Sequence, residues 1–212
     1  FFESYWSDEY EEYRKTAKVR QRPKIMVIGC SDSRVNSAIL TNAKLGEIFT
    51  VNNVANLVPP YKEGKDTHHS TSAAVEFAVK SLGVEHILVL GHRNCGGIRA
   101  LMEGSVNQSG DEYSFIGPWV SIADEAKKRV LEKHPHASLD EQCSHCEEES
   151  LLVSLDNLRT FPWVKAGIDN NTLAIHACYF DIATGRVHFY DDKQHRFMPI
   201  ITKKTKNSKK HA

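Results

Sequence analysis

The chain has 212 residues, 41% apolar and 25% charged, the balance of a single globular domain with a sizeable core. Lys+Arg and Asp+Glu both number 27, so no net field argues for nucleic acid as a partner. No apolar run reaches the roughly 20 residues of a membrane-spanning helix, and an odd number of cysteines, five, argues against a disulfide framework and for a reducing compartment, expected to be the cytoplasm.

Residues 1–20 carry Phe2, Tyr5, Trp6, Tyr10 and Tyr13 at spacings of three to four, which predicts a helix with one aromatic face. Pro23 marks its end. This arm, residues 1–22, either folds its stripe onto its own core or lays it on a second subunit. It is charged as well as aromatic and lacks the apolar centre of a signal peptide. Ile25, Met26, Val27 and Ile28, bounded by Pro23 and Gly29, predict a buried parallel strand, and residues 47–51 a second. A helix is expected over 71–81, with Ala74, Phe77 and Ala78 on one face and Gly83 just past its end. Residues 86–90 predict a third strand, and 97–102 start another helix. Residues 103–149 are polar, with 119–134 as their clearest helix. An amphipathic helix follows over 148–158, its apolar set being Leu151, Leu152, Leu155 and Leu158. Residues 173–180 and 186–190 predict strands joined by a hairpin-like turn at Ala183, Thr184 and Gly185. Residues 203–212 carry five Lys and read as a disordered basic tail. The order of elements predicts the α/β class. A single domain over 23–202 would hold a mostly parallel central β-sheet with a closing antiparallel strand, flanking helices and a protruding N-terminal helix.

Two of these strands end in a residue able to bind a metal. The first stops at Cys30, the third at His92, and Cys95 follows three residues later. In open α/β sheets, ligands bind beyond the carboxyl ends of the strands. If the two strands are neighbours, both side chains emerge at one sheet edge, and Gly96 and Gly97 let the backbone approach a ligand. A lone buried cysteine, or His-x-x-Cys by itself, is more often structural than metal-binding. All three at strand ends beside glycines reverse that balance. Two thiolates and one imidazole suit zinc, and three protein ligands leave a fourth position open.

Cys30-Ser31-Asp32-Ser33-Arg34 adds a second feature. In an extended segment Asp32 and Arg34 would share the side of Cys30. A bidentate pair with Arg34 would keep Asp32 off the metal and free to accept a hydrogen bond from the attacking water. On spacing alone, a surface ion pair is an equal alternative. Zinc lowers the pKa of its water to about 7, which yields a hydroxide nucleophile near neutral pH.

The run Gly29-Cys30-Ser31-Asp32-Ser33-Arg34-Val35, followed by Gly91-His92-Arg93-Asn94-Cys95-Gly96-Gly97, resembles the signature of the β-class carbonic anhydrases. Gly46-Glu47-Ile48-Phe49, Asn53-Val54-Ala55-Asn56, Asn157-Leu158-Arg159-Thr160 and Tyr179-Phe180-Asp181-Ile182 also resemble family segments. The resemblance implies zinc on Cys30, His92 and Cys95, and Asp32 with Arg34 as the catalytic dyad. It implies reversible hydration of carbon dioxide to bicarbonate and a proton, in a homodimer or homotetramer whose N-terminal helix packs across a partner. It implies that Gln21 and the Gly96 amide contact bicarbonate, that Phe49, Val54 and Phe77 wall the substrate pocket, and that the site is shared between subunits. Asn52 stands where an Arg is usual in the family, which argues against bicarbonate regulation. The alternatives are a sibling hydrolase of carbon disulfide or carbonyl sulfide and a non-catalytic zinc-binding module.

Cys143-Ser144-His145-Cys146 looks like half a zinc site, but no second ligand pair lies nearby in sequence, so a structural role leads. His68 and His69 are candidates for a proton relay, with a solvated loop pair as the stronger reading. His134, His136 and His145 are expected at the surface, and the tail is expected to be solvated rather than bound to nucleic acid or membrane.

Overall fold

The computed structural model describes residues 14, 16–63, 69–106 and 115–200. The aromatic arm over 1–13, His68 and the tail over 203–212 lie outside the described residues. In chain order the elements are β1 (Ile25–Cys30), α1 (Ser37–Thr41), β2 (Ile48–Asn53), α2 (Ser70–Glu76), β3 (His86–His92), α3 (Gly96–Glu103), α4 (Ile116–Val120), α5 (Asp124–Lys133), α6 (Leu139–Arg159), α7 (Pro162–Asp169), β4 (Ala174–Asp181), β5 (Arg186–Asp191) and β6 (Arg196–Pro199). The strands form one sheet in the order β2-β1-β3-β4-β5-β6. The first four are parallel, and β5 and β6 close the sheet as an antiparallel hairpin. Two closing strands are present where one was expected. β6 was missed because Arg196-Phe197-Met198-Pro199 is short and ends in proline.

Both faces of the sheet centre are covered, and the alternation of side chains shows how. Met26, Ile28, Ile87, Val89, Ala177 and Tyr179 enter one core with Leu151, Leu155 and Leu158 of α6. Val27, Leu90, Cys178 and Phe180 enter another on the opposite face. That double burial is why β1 and β3 read as continuous apolar runs. A third core lies under α3, α5 and the first half of α6, and it contains Cys30, Cys95, Cys143 and Cys146.

Three helices differ from expectation. The helix expected over 119–134 is broken into α4, a 3₁₀ turn at Ser121–Ala123, and α5. The helix expected over 148–158 begins nine residues earlier, at a capping box. There the Ser138 hydroxyl accepts from the Glu141 amide, and the Glu141 carboxylate accepts from the Ser138 amide at 2.8 Å. Leu152 is half-buried on its flank rather than in the core. The helix over 71–81 begins as α2 and widens into a π turn at Phe77–Leu82 before Gly83, which caps it at φ +67°. Phe77 points outward, 46% exposed, because the helix buries Thr71, Val75 and Ala78, a stripe at spacings of four and three that leaves Phe77 off it.

One close approach positions the site. Gly97, in the first turn of α3, faces Ala55, which itself holds a left-handed φ of +64°. A Cβ on Gly97 would lie 2.7 Å from Val54 Cγ1 and 3.0 Å from Ala55 Cβ. Gly97→Ala is therefore expected to destabilise the fold by about 1–3 kcal/mol, the usual range for overpacking. A urea melt checks this, and an unchanged midpoint would contradict it.

Candidate metal centre

β1 and β3 are hydrogen-bonded neighbours in parallel register, with Gly29 opposite Leu90. Their last residues, Cys30 and His92, therefore emerge together at the carboxyl edge of the sheet. Cys95 caps the start of α3 with an extended backbone, after Asn94 turns the chain at φ +58°. The two sulfurs and a ring nitrogen of His92 all lie within 4.8 Å of one another. Tetrahedral zinc with bonds of about 2.3 Å to sulfur and 2.0–2.1 Å to nitrogen sets its ligand atoms about 3.5–3.8 Å apart, so this spread suits it. Cys30, Cys95 and His92 are 5%, 2% and 1% exposed, which keeps competing water from the donor atoms.

The imidazole is oriented for a metal. Its Nδ1 lies 2.9 Å from the Arg93 carbonyl oxygen, which can only accept, so Nδ1 carries the proton. Nε2 then presents its lone pair to the sulfurs, and it is buried without a hydrogen-bond partner. An orphaned buried nitrogen is costly unless something fills its lone pair. The Cys30 thiol is held low by the Cys95 side chain and then by His92. The Cys95 thiol is correspondingly raised by the Cys30 side chain, and a metal there requires both sulfurs as thiolates. The residues present fit zinc.

Asp32 and Arg34 pair as expected, by a different local geometry. Residues 32–35 form a turn closed by the Val35 amide on the Asp32 carbonyl at 3.0 Å, not an extended segment. Within it, Arg34 Nε donates to Asp32 Oδ1 at 2.9 Å and Nη2 to Oδ2 at 2.7 Å, while the Arg34 amide donates to Oδ1 at 3.0 Å. Nη2 also donates to the Asn94 carbonyl at 3.1 Å, tying this turn to the His92–Cys95 loop. The Arg34 guanidinium holds the Asp32 carboxyl well below the usual carboxylate range. Asp32 Oδ2 lies 3.8 Å from His92 Nε2, beside the ligand cluster and outside it.

Glu147 is a residue the sequence reading missed. It is 4% exposed in α6, and its Oε1 accepts from the Cys95 amide at 2.9 Å. Its Oε2 accepts from the Tyr179 hydroxyl at 2.8 Å. Burial raises its carboxyl, against the opposing pull of those two donors. The missed signal is periodic: Glu147 stands four residues before Leu151 and eight before Leu155, in line with the buried stripe. Glu147→Ala would leave the Cys95 amide and the Tyr179 hydroxyl unpaired, a loss of about 1–3 kcal/mol for each buried group. It is expected to loosen zinc by about 10- to 100-fold, the usual effect of removing a residue that holds a ligand in place. Glu147→Gln, which can accept from Cys95 and donate to Tyr179, should restore most of both. Urea midpoint and zinc retained against a chelator check this; wild-type values for Glu147→Ala would contradict it.

The other expected positions are spread around this centre. Phe49 is half-buried and its ring lies 6.0 Å from that of Phe77, while Val54 is 39% exposed where the chain leaves β2. Gly96 is the first residue of α3, and a Cβ there would meet nothing within 4 Å. Gln21 is exposed before β1, with no hydrogen bond to the cluster among the described residues. Asn52 faces Gly29 across the β1–β2 ladder. His69 is exposed beside α2, and His136 and His145 are exposed as well, with His134 half-buried and stacked on His145 at 4.0 Å. Cys143 and Cys146 are buried, their thiols raised by burial, Cys146 to about 12. All five cysteines are free, and the one cluster of three or more metal-capable groups among the described residues is Cys30, His92 and Cys95. No helix among the described residues is long and apolar enough to cross a membrane.

The carbonic anhydrase family profile matches residues 25–187. β-carbonic anhydrase 5, chloroplastic, of Arabidopsis thaliana is 41% identical over 83% of this chain and 56% of its own length. β-carbonic anhydrase 6, mitochondrial, of the same plant is 43% identical over 82% of this chain and 59% of its own. The chain thus spans less than two thirds of the length of these two relatives. Among solved structures, the β-carbonic anhydrase CcaA superposes with a TM-score of 0.87 at 27% identity, covering 95% of this chain and 88% of that one. A tetrameric β-carbonic anhydrase structure from Sordaria macrospora gives 0.73 at 26% identity, covering 87% and 88%. The ligand set at the sheet edge, the fold that carries it and these similarities agree, and the chain belongs to the β-carbonic anhydrase family.

Proposed function

We propose that this protein catalyses the reversible hydration of carbon dioxide to bicarbonate and a proton, with zinc on Cys30, His92 and Cys95. The observation that carries the reading is the lone pair of His92 Nε2, buried and unpartnered beside two sulfurs, with the Asp32 carboxylate clamped 3.8 Å away. Zinc, when bound, supplies a Lewis acid that makes a water-derived nucleophile available near neutral pH. Asp32 is ionised and acceptor-only, so it takes a hydrogen bond from the attacking water and aims it. Arg34 occupies both Asp32 oxygens, which keeps the carboxylate from turning onto the metal. Phe49, Val54 and Phe77 offer carbon dioxide an apolar wall. The Gly96 amide, in the first turn of α3 where backbone donors have no partner within the helix, and Gln21 steady bicarbonate. The proton leaves to solvent.

The site is completed in a dimer-based assembly. A groove of about 940 Å³ includes Tyr61, Phe115, Trp119 and Trp163 in its lining, with Lys62 and Lys80 beside them. Phe2, Tyr5, Trp6 and Tyr10 match it in apolar character. The occupant is residues 1–13 of a second copy. Deleting them should lower the mass seen by light scattering; an unchanged assembly would contradict this. The free cysteines support a reducing compartment, and the cytoplasm is the proposed location.

Stopped-flow with a pH indicator tests the activity on one zinc-loaded preparation, against carbonyl sulfide hydrolysis followed by sulfide release. Carbon dioxide hydration far above buffer, and faster than sulfide release, is expected. Full zinc with no rate above buffer, or faster sulfide release, would overturn the assignment.

A further inference from the structure

At the amino end of the same strand that ends in His92, a second pair of metal-capable side chains meets. His86 opens β3 and His176 lies in β4, where the parallel register sets His86 opposite Ala174 and Leu88 opposite His176. The two imidazoles are therefore diagonal neighbours across the ladder, with centroids 5.3 Å apart and planes at 41°. His86 Nδ1 lies 3.1 Å from His176 Nε2. Both residues are exposed.

We infer that His86 and His176 form a two-imidazole chelate for a divalent transition metal, separate from the catalytic centre. With metal–nitrogen bonds of about 2.0–2.1 Å, two nitrogens on one ion stand about 2.8–3.4 Å apart at bond angles of 90–109°. The observed 3.1 Å, a hydrogen bond between the metal-free rings, falls inside that span, so the pair can close on an ion by losing the shared proton and turning the rings, with no change of backbone. Imidazole nitrogen is a good donor for nickel, copper and zinc, and the remaining positions stay open to water. The surrounding charge is favourable. Asp192 acts electrostatically on His176, and Glu85, just before β3, lies within the field of His86, although Glu85 is also ion-paired with Lys24. The adjacent parallel strands hold the two rings in place, so little freedom is lost on binding. His86 and His92 are six residues apart on one strand, about 20 Å, so an ion here does not touch the catalytic zinc.

The test uses the zinc-loaded full chain and nickel(II) chloride as probe, with nickel and zinc both counted after equilibrium dialysis. Wild-type protein is expected to take up one nickel per chain while keeping its zinc. His86→Gln and His176→Gln should each weaken nickel binding by more than about 100-fold, beyond the 10- to 100-fold cost of losing a residue that only holds a ligand. Carbon dioxide hydration should stay at the wild-type rate in both, which also shows that they fold. His134→Gln, which breaks the other close imidazole pair, should leave nickel binding intact. Titrating nickel into wild-type protein should broaden the imidazole proton signals of His86 and His176 before those of other histidines. No nickel uptake by wild type, a loss in only one or neither of the two variants, or a loss in His134→Gln would overturn the inference.

Discussion

Cys95→Ala is expected to purify without stoichiometric zinc and to lose carbon dioxide hydration with it. Cys95 supplies one of the two sulfurs in the cluster, and the remaining pair, Cys30 and His92, gives zinc only two of its three protein ligands. Removing groups that merely hold a ligand costs about 10- to 100-fold in affinity or activity, so removing the ligand should cost more than 100-fold. The loss is local in origin. Ala at this position still offers its backbone amide to Glu147 and its carbonyl to the Arg99 amide at 3.0 Å. The variant should therefore fold, with a near-native far-UV spectrum, while zinc analysis reads close to none. Stoichiometric zinc with normal turnover would show that Cys95 is not a ligand.

Asp32→Asn separates holding the metal from using it. The variant should keep one zinc per chain, because Asp32 stands outside the ligand cluster. It should lose about 100- to 1,000-fold in turnover, the range for removing a positioned acceptor or donor at a reacting group. Asparagine keeps the shape but replaces one accepting oxygen with an NH₂ donor. That donor faces either the Arg34 guanidinium, which also only donates, or the position of the attacking water. Because Arg34 holds the wild-type carboxyl well below the usual carboxylate range, Asp32 stays ionised throughout the neutral range. Any fall in rate as the pH drops through neutrality therefore belongs to another group. Stopped-flow rates with zinc analysis on the same sample check both halves, and a turnover near wild type would remove Asp32 from the mechanism.

The catalytic geometry was legible where it depends on strand ends and short spacing. Cys30 and His92 each close an apolar run, and glycines mark the turns behind them, so the adjacency of β1 and β3 was enough to bring them together. The Asp32–Arg34 pair was legible as chemistry and misread as conformation. An extended segment and a four-residue turn can both bring residues two apart within reach, and only the Val35–Asp32 hydrogen bond distinguishes them. Glu147 was hidden by its neighbours. In Glu147-Glu148-Glu149 all three look like a solvated helix start, and burial of the first depends on α6 beginning at Ser138. The outward position of Phe77 follows from the helix burying Thr71, Val75 and Ala78, with Thr71 in the stripe where apolar residues alone had been counted. The long α6 packs along β3 and β4, and a Cβ on Gly91 would crowd Leu151 Cδ1 at 3.1 Å, a contact between residues 60 apart in the chain (151 − 91). Local patterning does not report distances of that kind.

Zinc-edge X-ray absorption on the purified protein addresses the metal centre most directly, because it counts donor atoms by type. Two sulfurs at about 2.3 Å and two lighter atoms at about 2.0–2.1 Å are predicted, one lighter atom from His92 and the other from solvent. A shell of three or four sulfurs, drawing in Cys143 or Cys146, would mean a closed structural site and would contradict the account.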